Sequence, residues 1–580
     1  MSANDTPCTV EARQGVSVLY RGRYLFSRYE PQKPLQKTLE TFTILPESLI
    51  LCLSPVLPFP VDLIREKIMR EGIKGCFILC AETDPVLYDF YVEHKKNGCA
   101  QKSGDENIGC PDAAVLLKKE TEIALLLDGA DFAPRYSGTP LFPIGFFKRV
   151  LVLEASGAAA MYADFYKALF SYAQNSIAVF WKNRMTLVRL GRLFSHNILK
   201  NTAQAASSLP LIPASINRPI LVAGAGPSLD TLIPFIQHYA QKLYIIAVDA
   251  AFRALYDNGI RPDALVSVES QAVSRRSFIG ARRSGIPIIA DMCARSANLR
   301  ITGGNLSFFI SEYAKLPLLE RIKKTLPDVP VFPPLGSVGL AAVETALFLR
   351  AEDTNVFICG LDFSYPAGVS HCKESPSRKE EYASSGRLMP QGNPASAFRD
   401  GAFFIEGKDG TLLACDPTLH SYAELFSARY KNAPNIYDLS LSGAKTGLPF
   451  LSEEDAAALI NREANRTQDK LTDSGGAGVT EQTTARPAQS AAHRTSAVQS
   501  FYAEEKKRLH TLRSALTGEI PLSTENLKAL LEECSYLYIH FPDGHRGASL
   551  SQSFLNRVRS EIDGFIKDME TAETAAAFFP

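Results

Sequence analysis

The sequence predicts an α/β protein built on a Rossmann-like central parallel sheet, with a second, degenerate α/β domain before it and a helical module after it. Three observations carry this. Short apolar runs alternate with helix-periodic segments from about residue 47 to residue 450, the pattern of parallel strands joined by crossover helices. One such run, Ile220-Leu221-Val222-Ala223, feeds straight into Gly224-Ala225-Gly226-Pro227-Ser228-Leu229, where glycines let the backbone turn sharply and approach a ligand closely. Helical periodicity then returns over 502–516, 524–539 and 551–571, beyond a polar stretch poor in bulky apolar residues.

A chain of 580 residues is too long for one core. It reads as a degenerate Rossmann-like α/β domain (1–156), a helical connector (157–210), a central nucleotide-binding domain (211–462), a disordered linker (463–499) and a helical C-terminal module (500–580). Hydrophobic content of 46% and charged content of 21% are those of globular protein. The formal net charge is zero, so nothing global points to nucleic acid or an anionic membrane. Neither a signal-peptide pattern nor an uninterrupted apolar run of spanning length occurs, so the expected location is cytoplasmic and no membrane partner is expected. The eleven cysteines form no Cys-x-x-Cys pair, which argues against a zinc or redox motif; no metal ligands are assigned. Cys76 and Cys80 fall in an apolar run and are expected as reduced core residues.

In the first domain, 47–53, 74–81, 122–127 and 149–153 read as strands and 61–72 as an amphipathic helix. The turn after the first strand, Ser54-Pro55-Val56-Leu57-Pro58, has no glycine loop, which suits a scaffold or acceptor-binding role better than a cofactor site. Trp181, in the amphipathic helix expected over 157–208, reads as a packing anchor more than as a functional face.

The central domain carries the chemistry. Gly224, Gly226, Pro227 and Ser228 form a loop that is neither a full dinucleotide fingerprint, since Leu229 replaces the third glycine, nor a Walker A loop, since no lysine follows. Ser228 is placed to N-cap the next helix, whose free N–H groups would suit a phosphate; the plainer alternative is a structural turn. The strands expected over 243–248, 264–268 and 287–290 end in Asp249, Glu269 and Asp291. Ligands of open parallel sheets sit outside the carboxyl ends of the strands. Asp249 and Glu269 are therefore read as functional and Asp291 as a cap. Gly336-Ser337, at a second helix start, reads as a second candidate anion contact. The strand 355–359 ends in Gly360-Leu361-Asp362, and the long polar loop to about residue 393, holding His371, reads as a lid. A hairpin over 403–413, a helix over 418–431 and a strand over 435–438 complete the domain.

Gly224-Ala225-Gly226-Pro227-Ser228-Leu229, Arg261-Pro262-Asp263, Gly336-Ser337-Val338 and Gly360-Leu361-Asp362 together resemble the MptE-like domain. That domain takes its name from archaeal 6-hydroxymethylpterin diphosphokinases and forms the core of bacterial motility-associated-factor (Maf) flagellin glycosyltransferases. The core is similar to small bacterial sialyltransferases, so the resemblance implies a sialyltransferase-like fold. The match covers roughly 218–448 and extends more weakly to 25–31 and to the Trp181 helix. It implies that Gly224 to Ser228 cradle a nucleotide phosphate, that Asp249 and Glu269 lie on the nucleotide side, and that Gly336 and Ser337 touch nucleotide or sugar carboxylate. Gly360 and Asp362 would shape the pocket floor. It also implies His371 as general base toward an acceptor hydroxyl, a role suited to a group titrating near neutrality; a solvated bystander is the alternative.

The main expectation is a Maf-type transferase moving a nonulosonic acid from a cytidine monophosphate (CMP) sugar donor to Ser or Thr of flagellin. Asp249 and Glu269 depart from the more neutral sialyltransferase pattern, and two carboxylates repel a phosphate unless a cation intervenes. This favours the alternative, a diphosphokinase moving diphosphate from ATP to a pterin, with magnesium as its cofactor. A non-catalytic nucleotide-sugar-binding assembly factor is the third reading. The helical tail suits partner docking or a homo-oligomer.

Overall fold

The computed structural model describes residues 5–99, 112–123, 126, 144–383, 385–388, 397–398, 400–473 and 488–577. The chain forms two compact units, Met1–Arg189 with Phe541–Arg546, and Leu190–His540 with Gly547–Pro580.

The first unit opens with an antiparallel sheet of β1 (Cys8–Ala12), β2 (Gly15–Tyr20) and β3 (Arg23–Tyr24), which the sequence reading does not anticipate. Its main sheet is parallel, from β4 (Ser48–Leu53), β5 (Phe77–Glu82), β6 (Asp112–Leu116) and β7 (Arg149–Glu154), in the order β6-β5-β4-β7. Every residue of β4 and β5 is buried, as the continuous apolar runs require. The strand expected over 122–127 is displaced: Glu122 and Ile123 are helical and β6 lies upstream. Residues 124, 125 and 127 lie outside the described residues.

Strand order reverses between β4 and β7, where a doubly wound sheet normally opens a crevice. Here the chain fills it. Val18 and Tyr20 of β2 pack in one core with Val56, Leu57 and Leu87, and the Tyr20 hydroxyl donates to Asp84 at 2.9 Å. Trp181, half-buried, donates its indole N–H to the Phe147 carbonyl at 2.6 Å and lies edge-on to His545.

The second unit is built on an eight-stranded parallel sheet. Its strands are β8 (Ile220–Ala223), β9 (Tyr244–Val248), β10 (Ala264–Ser267), β11 (Ile288–Asp291), β12 (Leu306–Ser311), β13 (Val331–Phe332), β14 (Val356–Cys359) and, after the antiparallel hairpin β15 (Phe403–Glu406) and β16 (Leu412–Cys415), β17 (Ile436–Asp438). The order is β13-β12-β11-β10-β9-β8-β14-β17. From β8 the chain steps outward to β13, then returns to the opposite side of β8. The reversal between β8 and β14 is the topological switch point, and both strands end there in glycine turns.

Local chemistry places the helices. Ser337 caps helix Val338–Leu349, accepting from the Gly339 N–H, and Asp416 caps helix Pro417–Tyr430 through the Thr418 and Leu419 N–H groups. Gly259, at φ +73°, closes helix Phe252–Asp257.

The stretch expected as a linker, 463–499, carries helix over 463–473, the end of Glu453–Asp473, and over 488–499, the start of Ala488–Thr517; residues 474–487 lie outside the described residues. Its composition lacks bulky apolar residues but is rich in helix formers, and Val498, Phe501 and Tyr502 are buried. Helices Ala488–Thr517, Thr524–Glu533 and Gln552–Ala577 form the expected helical tail. Glu505, fully buried in it, pairs with Arg321 at 2.9 Å and Arg508 at 2.6 Å, and accepts from the Tyr536 hydroxyl at 2.8 Å. A buried carboxylate needs such partners to remain charged. Among the described residues no helix is long and apolar enough to cross a membrane, and nine of the chain's eleven cysteines, Cys76 and Cys80 among them, are free thiols.

Candidate functional site

At the switch point the two glycine turns interlock. The Gly224 N–H donates to the Cys359 carbonyl and the Gly226 N–H to the Gly360 carbonyl, each at 2.8 Å. A Cβ on Gly224 would lie 2.3 Å from the Gly360 oxygen, and one on Gly226 would lie 2.4 Å from Asp362 Oδ2. Gly360 itself sits at φ +68°, and a Cβ there would meet the Gly224 oxygen at 2.4 Å. Only glycine fits these positions.

Ser228 does not cap helix Leu229–Tyr239 with its side chain. Its N–H donates to Asp362 Oδ2 at 2.8 Å and its hydroxyl donates to Asp362 Oδ1, with Ser440 Oγ 3.0 Å away. The anion at this positive helix end is therefore the chain's own Asp362. Burial pushes the Asp362 carboxyl up to about 6, against the two Ser228 bonds and the Lys408 cation, which favour its charge.

The other predicted loops converge here. A Cβ on Gly339, in the first turn after Ser337, would lie 2.6 Å from the Leu361 side chain, and one on Gly224 would lie 2.4 Å from it. Gly336, at φ +68°, accepts the Tyr422 hydroxyl on its carbonyl at 2.6 Å. Glu269 lies close enough to Tyr422 to raise that phenol's pKa, second to burial, and contributes in the same direction at Asp249. Asp249 is buried at the end of β9, and burial lifts its carboxyl to about 6; Ser267 of the neighbouring strand donates to it at 3.2 Å. Glu269, half-buried, accepts the Gln271 N–H at 2.8 Å. Asp291 closes the turn after β11 by accepting the Cys293 N–H at 2.8 Å, and burial raises its carboxyl too.

The loop after β14 is pinned onto this centre. The Cys372 N–H donates to the Ala225 carbonyl at 3.0 Å, and the Lys373 N–H reaches the Asp230 carboxylate at 3.1 Å. His371, half-buried and next in the chain before Cys372, has Nδ1 3.0 Å from Ser370 Oγ; burial lowers its pKa, partly offset by Glu381, which leaves it neutral and able to accept a proton at neutral pH. Helix Pro376–Ala383 follows, and residues 384 and 389–393 of the expected lid lie outside the described residues.

Sequence reasoning passed over Ser440, Asp438 and Lys408. Asp438 ends β17, accepts from Lys408 Nζ and receives the Ser440 N–H at 2.9 Å. The strand-end rule that selects Asp249 would have selected it. A cavity of about 440 Å³ lies beside these residues, its walls including Thr446, Leu441 and Phe450. No set of three or more His, Cys, Asp or Glu side chains suited to a metal occurs among the described residues. Magnesium is commonly held by one or two carboxylates plus substrate phosphates, so Asp249 and Glu269 would fit it only together with a phosphorylated ligand.

The family model described as 6-hydroxymethylpterin diphosphokinase MptE-like matches residues 194–368. An uncharacterized protein of Treponema pallidum (strain Nichols) is 30% identical over 569 residues, covering 97% of this chain and 94% of that protein. A second uncharacterized protein of the same organism is 29% identical over 122 residues, 20% of this chain and 58% of that protein. Among solved structures, the MAf glycosyltransferase from Magnetospirillum magneticum AMB-1 is similar in fold, with a TM-score of 0.53 at 12% identity, over 98% of this chain and 92% of that one.

Proposed function

Since the chain belongs to one family with the Treponema pallidum protein that it matches over 97% of its length, and carries an MptE-like domain at 194–368, we propose that it is a nucleotide-dependent transferase acting at the β8/β14 switch point. The observation that carries this is the convergence of Gly224–Ser228, Gly336–Gly339 and Gly360–Asp362 around Leu361, beside Asp249 and Glu269 on the adjacent strand ends. Open parallel sheets bind their ligands at this position.

Within that reading, the matched domain and the paired carboxylates favour diphosphate transfer from ATP. Asp249 and Glu269 repel each other and would repel a bare triphosphate; these two carboxylates would hold a magnesium ion, which would offset both repulsions. An acceptor hydroxyl, such as that of a hydroxymethylpterin, would attack the β-phosphorus and release its proton to solvent, the bond to the α-phosphate oxygen would break, and AMP would leave. The magnesium ion would supply charge neutralisation on the phosphates.

A second reading is glycosyl transfer from a CMP sugar to Ser or Thr hydroxyls of a protein such as flagellin. It is favoured by the fold similarity to the MAf glycosyltransferase along 98% of the chain, which takes in the N-terminal sheets and helical tail that a small-molecule kinase has no use for. There His371, neutral and pinned against the glycine loop through Cys372, would take the acceptor proton.

Thermal-shift and calorimetric titration separate the two, because a ligand stabilises the state that binds it. ATP with magnesium is expected to stabilise the chain, with CMP giving little shift. Stabilisation by CMP without metal would replace the first reading by the second, and no response to any nucleotide would overturn both.

A further inference from the structure

With Asp362 occupying the Ser228 N–H, a nucleotide phosphate needs a positive group from elsewhere on the carboxyl edge. Several neighbouring cations are committed: Lys408 to Asp438, Arg378 to Glu381 and the Gly368 carbonyl, Arg276 to Glu380. Arg295 carries no such commitment. It lies four residues beyond the end of β11, its guanidinium has no ion pair among the described residues, and its Nε is buried with no hydrogen-bond partner. The residue is partly exposed, so its remaining guanidinium N–H groups can meet an acceptor from outside.

The backbone around Arg295 is held redundantly. Its own N–H donates to the Glu269 carbonyl at 3.0 Å, which sets it beside the end of β10. Asn201, fully buried in helix Ala163–Ala206, donates its amide to the carbonyls of Met292 at 2.9 Å and Ala294 at 2.7 Å. Asn197, one turn earlier, donates to the Cys293 carbonyl at 3.0 Å and the Ser270 carbonyl at 3.2 Å. Two buried amides spent on loop carbonyls tie the turns after β10 and β11 together, the kind of support that a binding group needs to hold its geometry.

We propose that Arg295 binds a phosphate oxygen of the nucleotide, with Asn197 and Asn201 as positioning residues that hold it in place. This rests on the nucleotide reading above. A guanidinium offers phosphate two parallel donors, a geometry that lysine lacks.

The test is calorimetry on the full-length chain, using ATP with magnesium, CMP, inorganic pyrophosphate, adenosine and cytidine as probes. Arg295→Gln is expected to weaken the nucleotide that binds the wild type about tenfold or more, and pyrophosphate likewise, while the matching nucleoside stays within about twofold. Asn201→Ala is expected to reduce the same nucleotide-over-nucleoside preference, which a purely structural role would leave unchanged. Nucleotide affinity retained in Arg295→Gln overturns the assignment and leaves the nucleotide reading standing; a wild type that binds no nucleotide and no pyrophosphate overturns both. Should Arg295→Gln fail to fold, Arg295→Lys decides: loss of nucleotide affinity with nucleoside affinity kept supports the contact, and equal effects on both overturn it.

Discussion

The carboxylate of Asp362 accepts both the backbone N–H of Ser228, at 2.8 Å, and its hydroxyl, across 134 residues of sequence. Replacing Asp362 by Ala would strand the buried Ser228 N–H, at a cost of about 1–3 kcal/mol, and leave the hydroxyl only Ser440 Oγ as partner. A lower thermal midpoint is expected, with Asp362→Asn falling between it and wild type because the amide keeps one acceptor oxygen. Equal midpoints for Asp362→Ala and wild type would show that the pair contributes nothing.

Gly360→Ala combines a left-handed backbone with a Cβ 2.4 Å from the Gly224 oxygen. Strain and overpacking of this kind each cost about 1–3 kcal/mol. Both stability and nucleotide binding are expected to drop, because the clash pushes the Gly224 turn off β14. Gly259→Ala, at φ +73° but in open space, serves as the control and is expected to lose stability alone.

Asp249 makes stability pH-dependent. Its folded pKa, about 6, lies above the ordinary carboxyl value of 3.8, so the folded state holds the proton more tightly than the unfolded state. The stabilisation is complete below pH 3.8 and is lost as pH rises through 6. Asp249→Asn, which cannot ionise, is expected to be more stable than wild type at pH 7–8, the gap closing toward pH 4. Thermal midpoints across that range measure it; a gap independent of pH would exclude Asp249 as its source. Magnesium-bound ATP should narrow the gap for wild type if the diphosphokinase reading holds, because a cation offsets the buried charge.

For His371, burial moves protonation below the ordinary histidine range. If it is the general base, the acid limb of kcat/KM lies below pH 6.5, and His371→Ala lowers kcat by about 10²–10⁴-fold with little change in donor affinity. Turnover retained in that variant removes His371 from the mechanism.

The strands that were legible from sequence are the continuous apolar runs. β4, β8, β9, β10 and β14 are each almost wholly buried, so apolar residues line both faces without interruption. The β1–β3 hairpin pairs exposed with buried positions in segments of six residues or fewer, too short to assert a period. The helix start at 488 was hidden by composition. Its stability depends on tertiary partners such as Asp328, 3.2 Å from Arg494, which no local pattern contains.

The site divides in the same way. The residue types and strand-end positions of Gly224, Gly226, Asp249, Glu269 and Gly360 follow from the order of the chain, because a ligand edge is where apolar runs stop and glycines or acids begin. What each group does with its hydrogen bonds was decided only on folding. Ser228 reads as a helix cap, yet it donates to Asp362, because the reversal of strand order brings the ends of β8 and β14 side by side. Arg295 reads as one arginine among many, yet it lies without an ion pair among the described residues, in a turn held by Asn201. A sequence by itself determines which groups are available and where strands end. Which donor meets which acceptor depends on contacts between segments far apart in the chain, and so on the tertiary structure alone.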